Sequence, residues 1–184
     1  MFGLVILTNM KIVDLTLPMY TGMPVYPGDP EVSIELIKTL EKDGWNMRRI
    51  EMNTHDGTHV NVSVHGVKGG NTLDDYSLES FCGVAVVYAP DTPIVPDTGV
   101  IFRDRNIDEN IAEQIKKVRP RFVGLSSSYE IDEEIERDFL KKDIILFERL
   151  ANTELLPVRF MFYGVPLKIK GADGSPVRAF AVIE

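Results

Sequence analysis

"DENIAEQIKKVRPRFVGLSSSYEIDEEIERDFLKKDIILFERL", residues 108–150, switches repeatedly between two periods. Ile111, Ile115 and Val118 recur at helical spacing, Asp108 is placed to cap the first turn, and Pro120 lies just past the last. Residues 121–127, "RFVGLSS", then read as a strand, 130–142 as a second helix and 143–150, "DIILFERL", as another strand. The continuous apolar run "GVAVVYA" (83–89) predicts a fully buried strand ahead of them. Together they make a β-α-β-α-β alternation, the pattern of layered α/β domains.

Working outward, "KIVDLTL" (11–17) predicts a strand and "PMYTGMPVYPGDP" (18–30) an ordered loop, because its prolines fix the backbone and remove donors. Residues 31–53 carry two β-like runs about the turn signal Asp43-Gly44, which predicts a hairpin. Downstream, 159–171 and 176–184 read as strands joined by the turn "GADGSP". "FGLVIL" (2–7) is short and apolar, and reads as a strand or an ordered terminus. The overall expectation is a mixed, strand-rich α/β fold with helices mainly in the second half.

The 184 residues predict one domain, 1–184, with room for a proper core. A net charge of −8 would repel a phosphate backbone, which argues against nucleic acid as a partner. No apolar run approaches the ~20 residues of a membrane span, so the expected compartment is the cytoplasm. Cys82 is the one cysteine, so neither an intramolecular disulfide nor a thiolate zinc cluster can form within the chain. Its apolar setting predicts a small buried hydrophobe.

All three histidines fall in "THDGTHVNVSVHG" (54–66): His55, His59 and His65. Asp56, Gly57 and Thr58 are poor helix material, so the i, i+4 pair His55/His59 does not sit on a helix. From His59 the residues alternate. Val60, Val62 and Val64 face one way, and His59, Asn61, Ser63 and His65 the other. A straight strand separates His59 from His65 by ~20 Å, too far for one ion to bind both. Either the chain bends after Asn61 or His65 has another role. Gly57 allows a turn that folds His55 toward His59, so the first donors are His55, His59 and the carbonyl oxygen of Asn61, with His65 free for proton transfer. The competing reading is a set of solvated or packing histidines with no ion. Glu148 sits on an apolar strand and needs a partner, either a metal or Arg178.

"HDGTHVNVSVH" resembles the HxGTHxDxPxH signature of the cyclase family of metal-dependent hydrolases, which includes bacterial kynurenine formamidase and isatin hydrolase. "VDLTLPMYTGMPVYPGDP", "ILFERLANTELLP" and "PLKIKGADGSPVRAFAVI" resemble that family's opening, its late ligand segment and its closing strands. The resemblance implies a swivelling β/β/α domain. It implies His55 and His59 as ligands of a divalent metal, zinc or manganese, and His65 as general acid/base. It also implies Glu148 as a later ligand and Tyr26 as an aromatic wall for the substrate. Asn61 stands where the family has a metal-bridging aspartate, and Glu136 falls where it has a helix histidine. An amide is neutral and binds a cation more weakly than a carboxylate, so one metal per chain is expected in place of two. Ser63 replaces the signature's proline. Two functions follow. One is an arylformamidase-like amide hydrolase acting on a small aryl formamide or cyclic amide, in a homodimer or larger homo-oligomer. The other is a diverged, non-catalytic member that binds a small molecule or structural ion. Retention of His55, His59, His65 and Glu148 favours the first; Asn61 and the missing later histidine favour the second.

Overall fold

The computed structural model describes residues 10–183; the stretch 2–7 lies outside them. In chain order the elements are β1 (Lys11–Asp14), β2 (Ser33–Lys38), α1 (Leu40–Asp43), β3 (Met47–Glu51), β4 (His59–Asn61), β5 (Cys82–Val87), β6 (Gly99–Phe102), α2 (Glu109–Val118), β7 (Phe122–Ser126), α3 (Glu133–Lys141), β8 (Ile145–Leu150), β9 (Arg159–Tyr163), β10 (Gly174–Pro176) and β11 (Phe180–Ile183). Among the described residues nine strands form one mixed sheet in the order β1-β11-β9-β5-β6-β7-β8-β4-β10. β5 to β8 run parallel to one another, and the flanking pairs are antiparallel.

The parallel centre is where the 108–150 alternation placed it. Asp108 caps α2, its Oδ1 accepting the Ile111 N–H at 2.9 Å. Ile111, Ala112 and Ile115 of α2 and Phe139 of α3 bury against Val100, Phe102, Val123, Leu125 and Leu146 on one face of the sheet. Alternate residues of the same strands, Ile101, Phe122, Ile145 and Phe147, join Phe160, Phe162, Val60 and Val62 on the other.

Several expectations need correction. β5 is buried only at Ala85 and Val87, because the two-helix layer ends beside it and Val86 only flanks the helix-side core. β6 was not anticipated. Its four residues follow a Pro- and Asp-rich loop and are too few to show a period. The strand expected over 159–171 stops at Tyr163, and half of the "GADGSP" turn is the edge strand β10, paired with β4. Cys82 begins β5 half-buried rather than enclosed. The 31–53 hairpin forms as β2 and β3, with α1 and Gly44 (φ 78°) in its connection. No helix among the described residues is long and apolar enough to cross a membrane.

Candidate metal centre

The strand expected from His59 to His65 ends at Asn61, so the alternative of a bend is the one observed. After it the chain closes a 3-10 turn, Ser63–His65, with the His65 N–H on the Val62 carbonyl at 2.9 Å. The Ser63 hydroxyl donates to the Leu140 carbonyl of α3 at 2.9 Å and anchors the turn without the proline. This curl returns His65 to His55, with ring centroids 3.9 Å apart. Upstream, Gly57 takes φ 66°, and Asp56 is buried and accepts the Asn53 N–H at 2.7 Å. The tight turn brings the His55 ring within 5.4 Å of His59, centroid to centroid.

Each ring is set by a partner. The His59 Nδ1–H donates to the Gly57 carbonyl at 2.9 Å, which leaves Nε2 as a lone pair. Burial pushes His59 down to about 3, so the ring is neutral at physiological pH. Its Nε2 faces Glu148 Oε1 at 3.7 Å, because β4 and β8 pair with His59 opposite Glu148. Burial, then the neighbouring Glu136, push Glu148 up to about 7. The Asn61 amide donates to Glu136 Oε1 at 2.7 Å and to Glu148 Oε1 at 2.6 Å, and its Oδ1 faces His55 Nδ1 at 2.8 Å. Arg178 does not serve Glu148; it pairs with Asp14 at 2.6 Å.

Asp173, read in the sequence only as part of a turn, completes the set. Its Oδ2 lies 3.0 Å from His55 Nε2 and 3.3 Å from His65 Nδ1, and its Oδ1 accepts the Thr54 hydroxyl at 3.0 Å. Burial works to raise its pKa, yet His55 and Thr54 hold it down at about 2. The signal that could have found it is an aspartate between small residues in the segment that resembles the family's close. Glu136 reaches the centre from α3 and also lies 3.9 Å from His65 Nε2. The structure thus gathers His55, His59, Asn61, His65, Glu136 and Glu148.

These donors suit one divalent ion. Asp173 is ionised and accepts from His55 Nε2, which leaves Nδ1 of that ring to meet a proton or a cation. Both Asn61 N–H groups are spent on carboxylates, so Oδ1 is fixed as an acceptor. Two acceptors meeting at 2.8 Å call for a cation or a proton between them. Imidazole nitrogens held by a second hydrogen bond, with an amide oxygen and a carboxylate beside them, are a donor set for a divalent metal. The gap between Glu136 and Glu148 is already bridged by the amide of Asn61.

A cleft of about 220 Å³ adjoins the centre between the opening loop and the histidine turn. Leu17, Pro18, Tyr20, Met23 and Pro24 wall it, with Gly57 and Arg149 on the other side. A Cβ on Gly57 would lie 3.2 Å from Met23 Cε, so glycine allows loop and turn to meet. Tyr20, not Tyr26, lines this cleft. Tyr26 is 60% exposed, and its hydroxyl donates to Glu133 at 2.9 Å, one turn of α3 before Glu136.

The comparisons with known proteins follow these elements. A kynurenine formamidase of Erythrobacter litoralis is 30% identical, over 92% of this chain and 92% of its own. Another, from Salinibacter ruber, is 26% identical over 92% of this chain and 96% of its own. Isatin hydrolase A from Ralstonia solanacearum shares the fold with a TM-score of 0.78 at 20% identity, covering 96% of this chain and 93% of that one. A potential metal-dependent hydrolase with cyclase activity does so with a TM-score of 0.79 at 24% identity, covering 96% and 99%. The family model described as "Putative cyclase" matches residues 13–139. With that match spanning the histidine turn, strands β4 to β7 and both long helices, the chain belongs to the cyclase family.

Proposed function

We propose that the chain is a metal-dependent amide hydrolase of arylformamidase type, acting on a small aryl formamide or cyclic amide. The observation that carries this reading is the convergence of His55, His59, Asn61 and Glu148 beside an apolar cleft, with the His65 ring 3.9 Å from that of His55. The relatives named kynurenine formamidase and isatin hydrolase support the same chemistry. A zinc or manganese ion, one per chain, supplies Lewis acidity toward the scissile carbonyl and toward water when bound. His55, His59, Asn61 Oδ1 and Glu148 would hold it. Asp173 accepts from His65 Nδ1–H, so Nε2 of that ring takes the proton from water and returns it to the leaving amine. His65→Ala should abolish formamide turnover while metal per chain, by elemental analysis, stays unchanged. His59→Ala should lose both. Turnover surviving in His65→Ala removes the proton-transfer role.

A second reading, a non-catalytic binder, draws on one observation: the Asn61 amide spans Glu136 and Glu148 as a neutral donor. Asn61→Asp separates the two. As a hydrolase the variant binds divalent ions more tightly and remains active. Inactivity of both wild type and variant on aryl formamides, with every divalent metal tried, selects the binder. We also infer that residues 1–184 act as one unit, since strands from Lys11 to Ile183 share a sheet, and that the chain works as a homodimer or larger homo-oligomer.

A further inference from the structure

His55 stands between two places where a cation fits. Its Nδ1 faces Asn61 Oδ1 at 2.8 Å, inside the centre. Its Nε2 faces Asp173 Oδ2 at 3.0 Å, and the same oxygen lies 3.3 Å from His65 Nδ1. Two imidazoles and a carboxylate thus converge at the other nitrogen of the His55 ring, each offering a donor atom within 4.8 Å of the others.

Donors bound to one tetrahedral zinc ion lie about 3.3–3.6 Å from each other. The two distances to Asp173 Oδ2, 3.0 and 3.3 Å, need little adjustment to meet that. Orienting two rings takes one acceptor for each, yet here both nitrogens aim at a single oxygen. The other carboxylate oxygen accepts the Thr54 hydroxyl at 3.0 Å, so the group is not free to turn and serve the rings separately. Access differs as well. The side chains of His65 and Asp173 are 33% and 40% exposed, against 5% for His59. An ion can reach this outer trio from solvent without entering the buried part of the centre.

We propose that His65, Asp173 and His55 Nε2 form a second, weaker divalent-metal site, and that zinc bound there switches the hydrolase off. Two imidazoles and a carboxylate suit zinc. Neutral His65 carries one ring proton. Zinc takes the lone pair of Nδ1, so that proton resides on Nε2, where Glu136 Oε1 faces it at 3.9 Å. With both nitrogens occupied, His65 no longer accepts a proton from water. At His55 the proton on Nε2 leaves to solvent as zinc takes its place, and the ring then bridges the two ions. That lost proton and the exposure of the donors make this site the weaker one. The inhibition rests on the amide-hydrolase reading; the metal site does not.

The full chain carrying one equivalent of zinc is dialysed against rising free zinc, and bound metal is measured by elemental analysis. Wild type should take up a second equivalent. Asp173→Asn and His65→Ala should keep the first and bind the second at least about 10-fold more weakly, since losing even an outer partner of a metal site costs about that much. Thermal midpoints are recorded alongside, and His65→Gln stands in for a variant that does not fold. Nitrogen-15 spectra of the histidine rings should show the His65 proton on Nε2 once the second equivalent is bound. A wild type that saturates at one equivalent overturns the proposal. So does a second equivalent that survives unchanged in both variants, because Glu136 and Glu148 would then be holding it. Turnover of formanilide, a small aryl formamide, is followed in the same samples. It should fall by about 100-fold or more as the second equivalent loads, the usual worth of a positioned base. A second equivalent lost in the variants, with no turnover at any zinc level, sinks the hydrolase reading and leaves the metal site standing. Turnover that the second equivalent does not change overturns the inhibition and leaves the hydrolase.

Discussion

Asp173 is the single residue on which both movable histidines of the centre depend. Its carboxylate faces His55 Nε2 and His65 Nδ1, and Thr54 braces it from the side. A carboxyl held at about 2 against an ordinary 3.8 adds stability that is fully present above pH ~3.8 and is lost as pH falls toward 2. The side chain is 40% exposed, so solvent trims the effect. In metal-free protein, Asp173→Asn should lower the urea midpoint at about pH 6. The gap to wild type should narrow steadily down to about pH 2.5. A gap that stays constant across that range means the residue acts through shape and not charge. The sequence hid this residue because "GADGSP" has the composition of a turn, and only a partner far along the chain turns Gly174–Pro176 into a strand. His55, His59 and Asn61 were legible because Gly57 and the polar alternation lie within one short stretch. The return of His65 was not, since it depends on the Ser63 hydroxyl finding α3.

Among the elements, those with a local cause were readable and those with a distant one were not. α2 announced itself by Asp108 and three apolar residues on one face, and it forms as read. β6 carries no such mark; it is a strand because β5 and β7 flank it and the core closes on both faces. Its first residue shows how closely. A Cβ added at Gly99 would lie 2.0 Å from the Phe122 ring, which is itself fully buried against Phe147 and Phe162. Gly99→Ala should therefore destabilise the fold by about 1–3 kcal/mol through overpacking, read as a lower denaturant midpoint with an unchanged m-value. Gly22→Ala is the control for space: nothing lies within 4 Å of its Cβ, and its cost comes only from a backbone φ of 75°. If Gly99→Ala is the milder of the two, the parallel centre is looser than the packing implies. The bulge that sets Glu148 and Arg149 together opposite one residue of β7 was equally unreadable, because "ILFERL" has the regular look of a buried strand.

Across the whole molecule, β2 and β3 stand apart. They pair only with each other, and Leu36, Leu40, Trp45 and Ile50 on them and their connection are 45%, 63%, 59% and 58% exposed. A lone two-stranded hairpin is marginal in water. Lys38, Lys42, Arg48 and Arg49 balance Glu35, Glu41, Asp43 and Glu51, so this arm is neutral on a molecule of charge −8. It is a surface on which two like-charged copies can meet without net charge repulsion. Leu40→Glu with Ile50→Glu should convert a dimer to a monomer in sedimentation velocity, with far-ultraviolet dichroism preserved. A wild-type chain that sediments as a monomer at tens of micromolar removes both the arm's role and the oligomer.

The order in which the centre's parts leave the ribosome has its own consequence. The three imidazoles emerge early and close together, while Glu136, Glu148 and Asp173 come from α3, β8 and the approach to β10. Until β10 pairs with β4, neither His55 nor His65 has the Asp173 carboxylate beside its ring. A nascent chain thus presents the three imidazoles before any of the carboxylates that hold them in the folded centre. An ion held there would meet its full set of donors only after α3, β8 and β10 are in place.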